Sequence, residues 1–213
     1  MALFDDSTQN QLKGILNNMK DNVNLLYFTQ EFECDTCSDG NSLVTEISSL
    51  SEKINLKTYD FVEDSKIAEK YGVDKIPAIV VLDKDEKDYG IKFYGVPGGY
   101  EINSFLGSIM EVSGKKEEIS DDIEKKISGV DKDVHVQVFV TLNWPYCPGA
   151  VSAAHRLALE SDKIKADMVE SSTFNHLAIK YNVSSVPKII INEEHELHGA
   201  QPIEEFMKVI ESL

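Results

Sequence analysis

Arginine is almost absent from this sequence, Arg156 being the only one, and basic residues as a class are outnumbered. The 21 Lys plus Arg stand against 37 Asp plus Glu, a formal net charge of −16. Such a surface repels phosphate backbones and anionic headgroups at long range, so neither nucleic acid nor a membrane surface is an expected partner. Long hydrophobic runs are lacking too. The longest, residues 76–82, has seven members and includes Pro77, whereas a membrane-spanning helix needs about 20. The opening MALFDD has neither the positive start nor the apolar stretch of a secretory signal, so a cytoplasmic location is expected. Only 12 Gly and 6 Pro occur in 213 residues, which excludes collagen-like and Pro/Gly-rich disordered chains. Cysteine is scarce as well. Three cysteines are too few and odd in number for a disulfide framework, and disulfides in a reducing compartment are usually transient and catalytic.

What is present is a repeat. Residues 68–81, AEKYGVDKIPAIVV, return as residues 178–191, AIKYNVSSVPKIII, at an offset of 110, with six of fourteen positions identical and three more exchanging branched aliphatics. The same offset maps Cys37 onto Cys147 and Cys34 onto Trp144. The chain therefore reads as two copies of one unit, one of which lacks a cysteine. Each copy reads as strand, helix, strand, helix, strand, strand, helix. In the first, strands are expected at Val23–Thr29 and residues 56–61 and 91–94, with helical faces on Leu43, Val44, Ile47 and Leu50 and on Ile102, Phe105, Leu106 and Ile109. In the second, the helix Cys147–Glu160 and the strand Lys188–Ile191 hold the corresponding places. An amphipathic helix precedes each copy, one on Leu12, Ile15, Leu16 and Met19 behind a Ser7/Thr8 cap, the other on Ile119, Ile123 and Ile127. The polar segment 113–118 separates the copies, giving units at 1–117 and 118–213 and an α/β fold with helices on both faces of each sheet.

Cys34-Asp-Thr-Cys37 falls at a strand-to-helix junction, where free backbone N–H groups and the helix dipole favour a thiolate. Cys34, at the exposed start, suits the nucleophile; Cys37, one turn deeper, suits the resolving thiol. A closed zinc site would need four ligands, yet there is no second Cys-X-X-Cys and the five histidines are scattered, so no metal is expected. Pro77, opening a buried strand after Ile76, is explained by a cis peptide bond facing the cysteine pair, which frees the Ile76 backbone for an extended substrate. Alone, an Ile-Pro before an apolar run is an ordinary edge-strand start. Its recurrence as Val186-Pro187 at the same distance favours the cis bend.

Cys-X-X-Cys after the first strand, with Ile-Pro or Val-Pro forty residues beyond the second cysteine position, resembles the thioredoxin and glutaredoxin fold. Two tandem copies, with DYGIKFYGVPGGYE at 88–101, DVHVQVFV at 133–140, PYCP at 145–148 and VPK at 186–188, resemble the protein disulfide oxidoreductases over essentially the whole chain. The resemblance implies two thioredoxin-like units, thiol-disulfide exchange on protein substrates, no bound cofactor beyond a redox-active Cys34–Cys37 disulfide, and recharging by a flavin-dependent thioredoxin reductase. It also implies that Asp60 and its counterpart Glu170 lie beneath the two cysteine motifs, where Asp60 could accept the Cys37 proton.

The chain departs from that family in its second unit, where Trp144-Pro-Tyr-Cys147 stands in place of Cys-Pro-Tyr-Cys. That site is degenerate: Cys147 is expected to be half buried and inert, and Trp144 is either a surface filler or a platform beside Pro187 for extended peptides. Glu31, Glu33, Asp35 and Asp39 crowd the first pair with negative charge, which opposes a thiolate and favours a reducing role. Glutathione would ask for basic residues near the pair to hold its carboxylates, and with the single Arg, Arg156, in the other unit it ranks below protein substrates. Two functions remain open, a cytoplasmic dithiol-disulfide oxidoreductase and a redox-weak adaptor that binds protein chains through the Trp144/Pro187 groove.

Overall fold

Residues 3–213 are described by a computed structural model. The first half runs α1 (Asp6–Leu16), β1 (Val23–Thr29), α2 (Cys37–Ser49), β2 (Ile54–Asp60), α3 (Ser65–Lys70), β3 (Ala78–Leu82), β4 (Asp88–Tyr94), a 3-10 turn (Gly99–Glu101) and α4 (Ile102–Val112). The second runs α5 (Asp121–Ser128), β5 (Val134–Val140), α6 (Cys147–Glu160), β6 (Ile164–Glu170), α7 (Asn175–Lys180), β7 (Lys188–Ile191), β8 (His195–His198) and α8 (Ile203–Ile210). The expected order of elements is present in both halves. Strand ends differ by a few residues, and the α1 cap is Asp5, whose carboxylate accepts from the Thr8 N–H at 2.7 Å. Asp at that position outcompetes the expected Ser7/Thr8 because it also complements the helix dipole. Ile15, assigned to the inner face from its spacing, is exposed.

The two halves share one eight-stranded sheet, ordered β2-β1-β3-β4-β6-β5-β7-β8. The joint is a parallel pairing of β4 with β6, in which Ile91, Lys92, Phe93 and Tyr94 face Ala166, Asp167, Met168 and Val169. Strand alternation then assigns the faces. Leu25, Tyr27, Ile79, Val81, Phe93, Val136, Val138 and Met168 enter the larger core, roofed by α1, α2, α4, α5, α6 and α8. Leu26, Phe28, Val80, Tyr94, Phe139 and Val169 enter a smaller core with residues from α3 and from the segment around α7. No described helix is long and apolar enough to cross a membrane.

Helices reinforce the joint. Arg156 on α6 reaches Glu111 on α4 at 2.8 Å and Glu160 at 2.9 Å. Deeper in, His155 on α6 shares a 2.9 Å hydrogen bond with Ser108 on α4 through Nδ1 and meets the Phe93 ring edge-on at 4.7 Å. Its Nε2 is buried with no partner among the described residues. Burial pushes the imidazole down to about 4, so it is neutral in the folded protein at pH 7. The unfolded chain binds a proton near pH 6.5 that the folded chain refuses until about pH 4. Stability from this residue is therefore lost as pH falls through that window, by up to about 3 kcal/mol. Urea denaturation from pH 7 to 4.5 should show this loss in wild type and a shallower one in His155→Leu. Parallel pH profiles for the two proteins would show that His155 is not the sensor.

Candidate functional site

The strand directions put both cysteine motifs on one edge of the sheet. β1 and β5 run the same way through β3, β4 and β6, and four strand spacings of about 4.8 Å set them roughly 19 Å apart. Each is followed by a loop and a helix beginning at the second motif position, Cys37 on α2 and Cys147 on α6. The first loop has four residues before Cys34, the second three before Trp144. Glu33, in the longer loop, adopts φ 56°, a left-handed conformation that costs a non-glycine residue about 1 kcal/mol.

Cys34 and Cys37 are joined by a disulfide, S–S 2.00 Å with Cα atoms 5.4 Å apart. Cys34 is half-buried and Cys37 is buried. The helix start is fixed from below, where the buried Tyr27 hydroxyl donates to the Cys37 carbonyl at 2.6 Å. Gly40 makes room for that hydroxyl, since a Cβ there would lie 2.4 Å from the Tyr27 oxygen. Burial pushes the Tyr27 phenol up to about 12, so it remains a donor at physiological pH. The sulfurs open on a cleft of about 990 Å³ lined by Phe32, Val62, Glu31, Glu33, Asp60 and Glu63 among others. Phe32 and Val62 are 78% and 68% exposed, an apolar rim on an acidic wall.

Asp60 lines the cleft with the pair, and its carboxylate accepts the N–H groups of Val62 and Glu63, each at 2.9 Å. Glu170 does the same in the second half, accepting from the N–H groups of Ser172 at 3.1 Å and Thr173 at 2.7 Å and from the Thr173 hydroxyl. Both acids close the turn after their strand. The Ile76–Pro77 and Val186–Pro187 peptides are cis. Phe28 opposite Ala78 and Phe139 opposite Lys188 bring each proline to the motif-bearing sheet edge, although neither Ile76 nor Pro77 lines the cleft.

At the second motif Cys147 is fully buried, not half-buried. Its counterpart Cys37 is buried likewise, and the joint adds a contact at the loop before Trp144. Tyr100 in the 3-10 turn donates to the Leu142 carbonyl at 2.9 Å, and Gly99, at φ 54°, leaves the space that a Cβ 2.2 Å from that oxygen would close. The first half thereby packs against the loop that precedes the second motif. Burial pushes the Cys147 thiol up to about 11, and the Glu101 carboxylate adds to the effect. Glu101 itself escaped sequence reasoning. It is fully buried, takes the Ser104 hydroxyl at 2.5 Å, has an unpartnered Oε1, and is pushed up to about 7 by burial. Its only signal in the sequence is an acid at the start of an apolar helix. Trp144 and Tyr146 remain on the surface, 47% and 62% exposed, with ring centroids 5.8 Å apart. Among the described residues no three His, Cys, Asp or Glu converge as metal ligands.

Comparison with known proteins agrees with this geometry. A family profile described as "Thioredoxin domain" matches residues 134–212. The alkyl hydroperoxide reductase AhpF of Staphylococcus aureus is 26% identical over 99% of this chain, and an NADH dehydrogenase of Bacillus subtilis is 24% identical over 82%. The chain spans 38% and 32% of those two relatives. Among solved structures, the NTD_N/C domain of the alkylhydroperoxide reductase AhpF from Enterococcus faecalis is 30% identical, covering 97% of this chain and 99% of its own, with a TM-score of 0.91. A protein disulfide oxidoreductase from Aeropyrum pernix is 26% identical, covering 98% and 92%, also at 0.91.

The Tyr27–Gly40 contact is testable by a double-mutant cycle. Gly40→Ala should cost about 1–3 kcal/mol by overpacking, and Tyr27→Phe about 1 kcal/mol by removing one donor to the Cys37 carbonyl. The double variant should cost less than the sum in urea unfolding, because removal of the hydroxyl relieves the clash. Strict additivity would separate the two residues.

Proposed function

The chain belongs to the family of tandem thioredoxin-fold disulfide oxidoreductases that includes the amino-terminal domain of the alkylhydroperoxide reductase AhpF, and from that premise we propose that it reduces disulfides in partner proteins through Cys34 and Cys37. The Cys34 thiolate attacks one substrate sulfur, a mixed disulfide forms, and the other substrate sulfur leaves as a thiolate. Cys37 then loses its proton and attacks the Cys34 sulfur. The remaining substrate sulfur departs, so the substrate gains two electrons and the pair closes as its own disulfide. The division of roles rests on one observation, that Cys34 is half-buried and opens on the cleft while Cys37 is buried at the start of α2.

Asp60, in the same cleft, is the group that takes the Cys37 proton, and Ile76 and Pro77 at the neighbouring strand start align an extended substrate segment. The apolar rim of Phe32 and Val62 suits protein chains, and the acidic wall disfavours the carboxylates of glutathione. The pair is recharged by two electrons from a reduced flavin in a thioredoxin reductase-like partner or domain. Support for that source is the greater length of the curated relatives, which extend well beyond the part this chain matches. We place this cycle in the cytoplasm and the boundary between units at 117/118, within a segment without helix or strand. A second reading, that the second unit binds partner chains at Trp144, Val186 and Pro187 without redox turnover, is favoured by the exposed Trp144/Tyr146 pair above a buried Cys147.

Insulin reduction with dithiothreitol as electron donor tests both. Cys34→Ser should abolish turnover and Cys147→Ser should change it less than twofold. Wild-type turnover at the level of the blank would leave only the binding reading, and equal losses in the two variants would refute the division between units. Trp144→Cys should add a second titratable disulfide, reduced more slowly than the first because Cys147 is buried.

A further inference from the structure

The cleft over Cys34 and Cys37 carries charge of one sign. Glu31, Glu33, Asp60 and Glu63 line it, and no Lys, Arg or His does. The acids come from separate walls, Glu31 and Glu33 from the loop between β1 and α2, Asp60 and Glu63 from the end of β2 and the turn after it. Asp60 is held by the N–H groups of its own turn, whereas Glu31, Glu33 and Glu63 are exposed and enter no ion pair among the described residues. Elsewhere the chain supplies its acids with cations: Glu86 meets Lys57 at 2.6 Å, Glu160 meets Lys116 at 3.1 Å and Glu196 meets Lys188 at 2.5 Å.

The fold itself does not require this charge. In the second half the residues between β5 and Trp144 are Thr141, Leu142 and Asn143, and those after β6 are Ser171, Ser172 and Thr173, none of them charged. The unpaired carboxylates thus accompany the half that retains its cysteine pair. They stand beside the largely exposed Phe32 and Val62, so a partner in this cleft meets negative charge and apolar surface together. A lysine or arginine side chain satisfies both, because its methylene stem lies on apolar surface while its head group meets a carboxylate. The cation also gains from the face of an aromatic ring.

We propose that this cleft selects, among protein disulfides, those whose cysteine is flanked by Lys or Arg. The proposal rests on the redox reading for its substrate class and adds the sequence preference within that class. The stem of a flanking basic residue lies on Phe32 and Val62, and its head group pairs with Glu31 on one wall or Glu63 on the other. A segment with Asp or Glu at the same place brings like charge against a wall that offers no cation, which costs affinity. Attraction between exposed charges acts on encounter and binding, not on the exchange of sulfur bonds. The preference therefore appears in KM and fades as salt screens it.

Two disulfide-linked peptide dimers, identical except for Lys or Glu on either side of the cysteine, test it as substrates, with dithiothreitol as donor and the uncatalysed rate subtracted. At an ionic strength of about 10 mM, kcat/KM should favour the Lys peptide by about tenfold or more; at about 1 M, where the screening length is about 3 Å, by less than about twofold. Glu31→Gln combined with Glu63→Gln should cut the low-salt preference at least about fivefold, through KM more than kcat. Glu118→Gln combined with Glu204→Gln, exposed acids outside the cleft, removes the same net charge and should leave the preference intact. Equal reduction of both peptides by the wild type, or equal loss of preference in the two double variants, would overturn the proposal. Isothermal titration of the oxidised chain with the Lys peptide bearing serine for cysteine reads the cleft without turnover, and binding should weaken at least about fivefold in the Glu31/Glu63 variant. That weakening with neither peptide reduced would remove the redox reading and leave the preference standing. Reduction of the peptides with unchanged binding in the variant would do the reverse.

Discussion

Everything distinctive in this molecule depends on four residue pairs, the parallel register of β4 against β6. Without that ladder the two halves would be independent sheets, each with its own motif and its own solvent-exposed edge. With it, strand direction propagates from β1 to β5, and both motif loops emerge on one side. The pairing also draws α4 against α6, and this contact buries His155 and Arg156 beside the half-buried Glu111 and sets the Gly99 turn against Leu142 ahead of the second motif.

The two motifs have diverged in complementary ways. The first has a half-exposed Cys34 over a buried partner sulfur, with a loop lengthened by one residue and an acidic, aromatic-rimmed cleft. The second has lost its outer sulfur to Trp144, and its inner sulfur is held as a neutral thiol beside a buried acid. Asp60 and Glu170 make the same turn-closing bonds in both halves. The shared duty of that position is therefore backbone geometry, to which the first half adds contact with the redox cleft.

Much of this is legible in the chain itself. The cysteine spacing, the two proline positions, the repeat and the periodicity of the helices are local signals, and the order of elements and the Cys34–Cys37 pair follow from them. What escapes is whatever depends on the joint. Lys92, in the alternation of Ile91, Lys92 and Phe93, looks like a residue on a solvated strand face, and only pairing with Asp167 reveals that it is buried. His155 and Glu101 look like ordinary polar members of helices until α4 and α6 meet. Pairing between strands some seventy residues apart has no local signature, so its consequences for burial and titration are invisible in sequence.

The joint is also head-to-tail. β8 occupies in the second half the place that β4 has in the first, and β2 corresponds to β6. The operation that joins the halves could therefore be repeated, laying β8 of one molecule beside β2 of the next without ever closing on itself. Such translational self-complementarity is the geometry of a filament. The chain guards against it at its growing end: β8 is only four residues long, three of them His or Glu, and the strand it would seek presents Lys57 and Asp60 among polar neighbours. Short length and charge at those two edges are the features that discourage one sheet from adding to another.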